Sequence, residues 1–417
     1  MQRLRAYFLP VIAFLLPWQT RWIYGQELIA GEAFQLGVMS LYVIEVLAIA
    51  GLFLMYKQKT SRATGPVRLA LLLVALGVIS SLWAINDDLV FAHIVHLVAA
   101  ISIFVLAFDD RVSARNIVWG FVLGLIIPTL IGLWQVVGGG SGASTLLGMA
   151  TRDAQALGDA VLVVGGERML RAYGSLPHPN IFGGYLAMGL LGVLWLYKGA
   201  AQNIRRLLIP LGLLLFVGLV ITFSRSAWIG FALALFLIVA RSLTAKVHGL
   251  RAWLALDRGA RLATAIIIIV IVLLSPLIAS RFSFDNLVES RSITERVEQY
   301  ETFGELIFER PLLGVGLNNY TLAIAEINPG NEWWEYQPVH NVWALMVGEL
   351  GIVSLVFVFG GLVSVLRIHR HRIWLLCIGL TPLFIISLFD HYLWTLWPGI
   401  ALVALSAAVV TRINSQG

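Results

Sequence analysis

The sequence predicts an all-α fold: a polytopic membrane bundle with both termini cytoplasmic and a helical loop region on the outer side. Three observations carry this reading. The chain of 417 residues is 59% apolar and 12% charged, against about 25% charged in a soluble domain, and its mean hydropathy is +0.86. Apolar runs near the ~20 residues needed to cross a bilayer core recur along its length. Basic residues concentrate in alternate connections, as the positive-inside rule requires of cytoplasmic loops. A bilayer admits helices or closed barrels, and the runs are too continuous for the alternating ten-residue segments of a barrel.

In chain order the runs give about twelve spans, near 6–20, 37–56, 67–85, 89–108, 117–137, 181–198, 207–223, 227–241, 262–280, 341–366, 373–389 and 395–411, each about 20 residues long. No small-residue cleavage site follows the first run, so it stays as a span. Connections holding Lys57, Lys59, Arg111, Arg115, Lys198, Arg205, Arg241, Lys246, Arg367 and Arg370 take most of the 29 basic residues and read as cytoplasmic. The net charge of +6 therefore reports topology and implies no nucleic-acid partner. Cys377 is the single cysteine and lies in an apolar run, which excludes a disulfide framework. The whole chain reads as one membrane domain, 1–417.

The outer side receives two long loops, 138–180 and 281–340, and two short corners, Ser224-Arg225-Ser226 and Asp390-His391-Tyr392. The second loop is acidic, with ten Asp and Glu against four Arg. Within it, Ile293, Val297, Tyr300 and Ile307 fall at helical offsets, so an amphipathic helix is expected over about 293–309, capped by Ser292 or Thr294 and stopped by Pro311 and Gly314. Any arginine here that binds an anion must face away from the glutamates. Arg296 sits at the edge of the apolar stripe.

Several residues are candidates for chemistry. Arg225 lies where one span ends and another begins. An arginine near membrane depth costs about 2.5–3.5 kcal/mol on insertion scales, so it either snorkels to the headgroups or lines a cavity; at a helix N-terminus it can also clamp phosphate. His340 opens a span, either as an interfacial cap or as a general base, its ordinary pKa being about 6.5. Asn341 either orients it or caps the helix. Arg171, His178 and Asn180 lie in a rigid lip, RAYGSLPHPN, where Asn180 reads equally as an N-cap. Trp333 and Trp334 either stack on sugars or sit at the interface. Glu45 and Glu349 are charges at membrane depth. No His, Cys, Asp or Glu grouping has metal-ligand spacing, so neither a metal nor another cofactor is expected.

The ordered set RAYGSLPHPN, FSRSAW, SITERVEQYETFGELIFERPLLGVGLNNY and HNVWALMVGELG, over roughly 170–355, resembles the O-antigen ligase and O-antigen polymerase superfamily. The resemblance implies an inverting, metal-independent, GT-C-like glycosyltransferase of the bacterial cytoplasmic membrane. Its implied donor is an undecaprenyl-pyrophosphate-linked glycan used on the outer face; its acceptor is a sugar hydroxyl of a glycolipid, such as lipid A core, or of another glycan. Carried over motif by motif, Arg225 and Arg296 become the donor-phosphate residues and His340 the base. Beside them, Arg171, His178, Asn180 and Asn341 are expected as substrate-binding residues. Gly351 follows His340 by eleven residues, as the family pattern asks; Ser354 stands where another small or β-branched residue is more usual. Ligase and polymerase differ in acceptor. A transporter or flippase is the other class considered, and it would call for broken or charged helices in corresponding halves, which the sequence lacks.

Overall fold

The structure is a computed structural model that describes residues 2–55, 64–109, 111–164, 166–244, 267–269, 271–280, 287–368 and 373–415. It is mostly helical. In chain order, α1 (Gln2–Leu15) leads into strands β1 (Arg21–Ile29) and β2 (Glu32–Tyr42), then α2 (Val43–Met55), α3 (Thr64–Ser80), α4 (Asp87–Leu106), α5 (Ala114–Gly124) and α6 (Ile126–Gly138). Two-residue strands β3 (Gly140–Ser141) and β4 (Arg152–Asp153) and the hairpin β5 (Val161–Val164) with β6 (Glu167–Leu170) follow. Then come α7 (Pro179–Lys198), α8 (Gln202–Ile221), α9 (Arg225–Thr244), α10 (Ser275–Ser280), α11 (Leu287–Glu309), α12 (Tyr320–Ile327), α13 (Val342–Leu350), α14 (Val353–Ile368), α15 (Ile373–Phe389), α16 (Tyr392–Thr395) and α17 (Trp397–Ser415).

Among the described residues, four helical segments are long and apolar enough to cross a membrane: Asp87–Leu106, Ala114–Gly138, Pro179–Lys198 and Gln202–Ile221. Six shorter apolar helices accompany them, including Val353–Arg367, Ile373–Phe389 and Trp397–Ile413. Residues 262–266 and 270 of the expected 262–280 span, and the basic 245–261 stretch before it, lie outside the described residues.

The all-α expectation fails at the hairpins. Residues 37–42 belong to β2, so the run read as a span from 37 supplies a helix only from Val43. Hydropathy alone does not separate the two parts, because the buried positions of the strand, among them Phe34, Leu36 and Met39, run into the helix without a polar break. The loop 138–180 likewise carries antiparallel pairs, Val161 to Leu170 through Val164 to Glu167.

Close helix contacts depend on glycine. A Cβ on Gly120 would sit 2.1 Å from the Pro10 carbonyl oxygen, and one on Gly124 would sit 2.1 Å from that of Phe14. This small-xxx-small pair lets α5 lie directly on α1. The expected tenth span, 341–366, is broken at Gly351, whose φ of +70° and ψ of 177° fall in a region essentially reserved for glycine. The Pro-Leu-Leu-Gly-Val-Gly turn packs into that break. Ile352 N–H donates to the Pro311 carbonyl at 3.1 Å, Val315 N–H to that of Gly348 at 3.0 Å, and Gly316 N–H to that of Glu349 at 2.8 Å. The turn therefore anchors the end of α11 to the end of α13, and Ser354 Oγ ties the same corner by donating to the Gly351 carbonyl at 2.7 Å.

A Cβ on Gly351 would lie 1.8 Å from the Leu312 carbonyl oxygen. Gly351→Ala is therefore expected to cost roughly 2–6 kcal/mol from strain and overpacking together. Thermal melting of the purified variant checks this; a melting temperature equal to wild type would contradict it.

Candidate functional site

The site is assembled from four segments at one end of the bundle: the lip 171–180, the corner 222–226, helix α11 with the 339–341 junction, and the corner 390–391. The lip is fixed from below by Gln135 of α6. Its Oε1 accepts the N–H groups of Tyr173 and Gly174, each at 2.9 Å, and its Nε2 donates to the Gly174 carbonyl at 3.0 Å. His178 then caps α7, its Nδ1 accepting the Asn180 N–H at 3.1 Å. Pro179 at the first helical position has no N–H to satisfy.

Arg171 is buried, and its hydrogen bonds go to protein. Nε donates to the Thr222 carbonyl at 2.8 Å, and Nη2 donates to the Phe223 carbonyl at 3.3 Å and to Asn180 Oδ1 at 2.7 Å. It thus caps the C-terminal end of α8, where a cation also meets the negative end of the helix dipole. It holds the corner in which Phe223 adopts φ +51°, the left-handed turn that lets α9 start at Arg225. Burial lowers the Arg171 guanidinium to about 10, opposed by Tyr173 and reinforced by Arg225, so it stays charged at neutral pH. Its hydrogen bonds thus tie the corner that precedes Arg225 to the Asn180 side chain.

Asn180, expected as a cap or a substrate contact, relays between charges instead. Its Oδ1 faces Arg171, and its Nδ2 donates to Asp390 Oδ2 at 2.8 Å. Asp390, 5% exposed, is the anion around which the site is arranged. Its charge bears on Arg171, Arg296, His178, His340 and His391. Burial pushes its carboxyl up, but His391, His340 and His178 with the Asn180 amide outweigh that and hold it below the ordinary carboxylate range.

Helix α11 begins at Leu287, so Ser292 and Thr294 lie inside it and neither is its cap. Its inward face also differs from the expected stripe. Val297 and Tyr300 are 53% and 45% exposed, whereas Leu306 is 1% exposed and Phe303 is half-buried. The inward positions are 296, 299, 303 and 306, at steps of three and four. Arg296 therefore lies on the inner face. Burial lowers its pKa; Asp390 opposes this and Arg225 adds to it. No side chain among the described residues makes a hydrogen bond or ion pair with the Arg296 guanidinium. Arg225, half-buried at the start of α9, is close enough for its charge to act on both Arg171 and Arg296.

His340 joins them from the α13 side. Its Nδ1 lies 2.7 Å from Gln299 Oε1, so with the amide oxygen as acceptor Nδ1 carries the proton and Nε2 keeps a free lone pair. Its ring lies edge-on to His391 at 5.1 Å. Burial lowers its pKa below 6.5; Asp390, Glu295 and the Pro338 backbone oppose that shift and Arg296 adds to it. Asn341 does not orient this histidine. Its Oδ1 accepts from Trp343 N–H at 2.9 Å and Ala344 N–H at 3.1 Å, so it is the N-cap of α13.

Gln299, Asp390 and His391 are the site members that sequence reasoning did not assign. Asp390-His391 stood out only as a polar corner. Gln299 carried no signal beyond lying three residues after Arg296 on a helix. The tryptophans pair edge-to-face at 5.8 Å, with Trp334 47% exposed. Glu349 accepts the Trp394 indole N–H at 2.7 Å, and Glu45 contacts His96 Nδ1 and the Tyr42 N–H; neither belongs to the site. No group of three His, Cys, Asp or Glu side chains suited to a metal ion occurs among the described residues.

Chemically, the arrangement offers a neutral imidazole with an open lone pair beside Arg225, Arg296 and the buried carboxylate of Asp390. That combination suits proton removal next to a bound anion. No curated protein matches this chain. Residues 210–359 match the family model described as O-antigen ligase, a stretch that holds Arg225, Arg296, Gln299, His340 and Gly351. Over that stretch the chain is similar to the O-antigen ligase family, which supports its place in the O-antigen ligase superfamily.

Proposed function

We propose that this protein is a glycosyltransferase that moves a glycan from a polyprenyl diphosphate to an acceptor hydroxyl at the outer face of a bacterial cytoplasmic membrane. The single observation that carries the proposal is that Arg296 and His340 lie close enough to Asp390 for its charge to act on both, with Arg225 near Arg296, from segments up to 165 residues apart in sequence. In this reading the bundle has about twelve spans with both termini cytoplasmic, each span near the ~20 residues a bilayer requires. The 281–340 loop then covers the site from outside.

The acceptor hydroxyl gives its proton to His340 Nε2 while its oxygen attacks the anomeric carbon. The bond from that carbon to the diphosphate oxygen breaks on the opposite face, so one displacement inverts the anomeric centre. The electron pair leaves on the diphosphate. Arg225 and Arg296 take up that growing charge, which accelerates the step to the extent that the contact strengthens in the transition state. Arg171 acts through Asn180 and the 222–224 corner. No step in this scheme uses a metal. The ligase reading, with a glycolipid acceptor such as lipid A core, is preferred; a polymerase would use the same residues on a lipid-linked acceptor.

The test is a purified reaction with lipid-linked glycan and candidate acceptors, run with and without chelator. Transfer that persists in chelator and falls at least tenfold in Arg225→Ala and in Arg296→Ala is expected. Full activity in both variants would remove the site assignment, and loss on chelation would remove the metal-free scheme.

A further inference from the structure

A second feature lies at the opposite end of the same helices. A partly open cavity of about 420 Å³ sits between α5, α7, α9, α15 and α17, within the ~300–1,000 Å³ usual for ligand sites. Its wall is hydrocarbon and indole, including Leu191, Leu235, Val239, Trp374 and Ile378, with Lys198 at its edge. Two more cations stand beside it. The Arg115 guanidinium donates to the Gly199 carbonyl at 3.3 Å, next to Lys198, and that of Arg241 lies 5.5 Å from the centre of the Trp374 ring. No Asp or Glu is among the described residues that line the cavity.

The cavity is separate from the candidate site. At about 1.5 Å per residue, its lining on α7 and α9 starts some 12–15 Å along the helix from Asn180 and Arg225. The layer between is solid: Tyr185, Leu186 and Ile386 are fully buried, Tyr392 is 2% exposed, and Tyr185 Oη donates to the Pro398 carbonyl at 2.7 Å. A hydrocarbon chain entering from the site would have to pass through that layer. The cations lie at the other end, so an occupant with a charged head enters from there.

We propose that this cavity is a binding site for one hydrocarbon chain of an anionic phospholipid from the leaflet opposite the candidate site, with Lys198, Arg115 and Arg241 holding its phosphate. The charge pattern selects this occupant: a polyprenyl tail reaching down from the site carries no anion at its far end to complement the positive charge of Lys198, Arg115 and Arg241. The site needs no part of the transfer reaction.

The test is native mass spectrometry of the intact, delipidated chain titrated with phosphatidylglycerol or with phosphatidylcholine of the same acyl chains. Wild type is expected to retain one phosphatidylglycerol, at least tenfold more tightly than phosphatidylcholine. Lys198→Ala and Arg241→Ala should each weaken retention about fivefold. Val239→Trp, which fills the chain slot and leaves the cations, should abolish it. Equal retention of the two lipids by wild type overturns the proposal and requires no variant to fold. So does phosphatidylglycerol retention unchanged by these substitutions, or displacement of the bound lipid by an uncharged polyprenol.

Discussion

His340→Ala should lower kcat for glycan transfer by about 10²–10⁴-fold, the usual contribution of a positioned general base, with a smaller effect on KM. The pH profile separates a base from a merely structural histidine. A base works unprotonated, and burial holds the pKa of His340 below 6.5. Activity should therefore be full at neutral pH and fall away only below 6.5. The Arg296 cation contributes to that depression, so Arg296→Ala should move the acid limb of its residual activity to higher pH as well as lower the rate. Gln299→Leu leaves the ring in place but removes the acceptor that fixes the proton on Nδ1. It should cost rate through the wrong tautomer, as in other base–orienter pairs. A wild-type acid limb centred at or above pH 6.5, or a variant limb that does not move, would separate His340 from the proton transfer.

The membrane class was legible because it rests on composition and run length, which tertiary packing does not override. The proximity of Arg225, Arg296 and His340 was legible in outline from the motifs that hold them. Two features were not. The apolar stripe of α11 does not mark its inner face: Val297 and Tyr300 look like core residues by periodicity, yet they face outward, while Gln299 joins the expected Arg296 on the inner side. A helix over a polar site inverts the usual rule, since its functional face is the polar one. Asp390 was passed over because an isolated Asp-His at a hairpin has no local signature; its importance comes from Asn180, 210 residues away in sequence. The motif glycines, by contrast, have a reading available only in three dimensions. Gly314 and Gly351 meet across the α11–α13 corner, where a Cβ on either would enter the opposing backbone. Much of what makes the family motif recognisable is thus the brace that holds His340 and Arg296 together, rather than the chemistry itself.

Acidification should destabilise the protein at pH values well above the one at which Asp390 titrates. Burial lowers the His178 and His391 pKa values to about 3 and about 4, against about 6.5 in an unfolded chain. Between those values the unfolded chain binds protons that the folded one refuses, so stability falls as pH falls through that window. From pH 7.5 to 5 each histidine should cost about 1–2 kcal/mol, the lower end allowing for water that reaches the half-buried rings. Asp390 adds nothing in this range: its depressed pKa means its contribution is lost only below the ordinary carboxylate pKa of about 3.9. Melting temperature measured across pH 5–7.5 checks the slope. His178→Asn keeps an acceptor for the Asn180 N–H, and His391→Gln keeps a polar group near Thr395; together they should flatten the slope, while an unchanged slope would assign the acid sensitivity elsewhere. The same reasoning explains why the histidines are buried beside arginines. Held neutral, they add no charge to the site, and Asp390 remains ionised to bind the arginine cluster together without cancelling it. Protonating them would tighten the hold on Asp390, whereas the acid limit of activity is set separately, by the lone pair of His340.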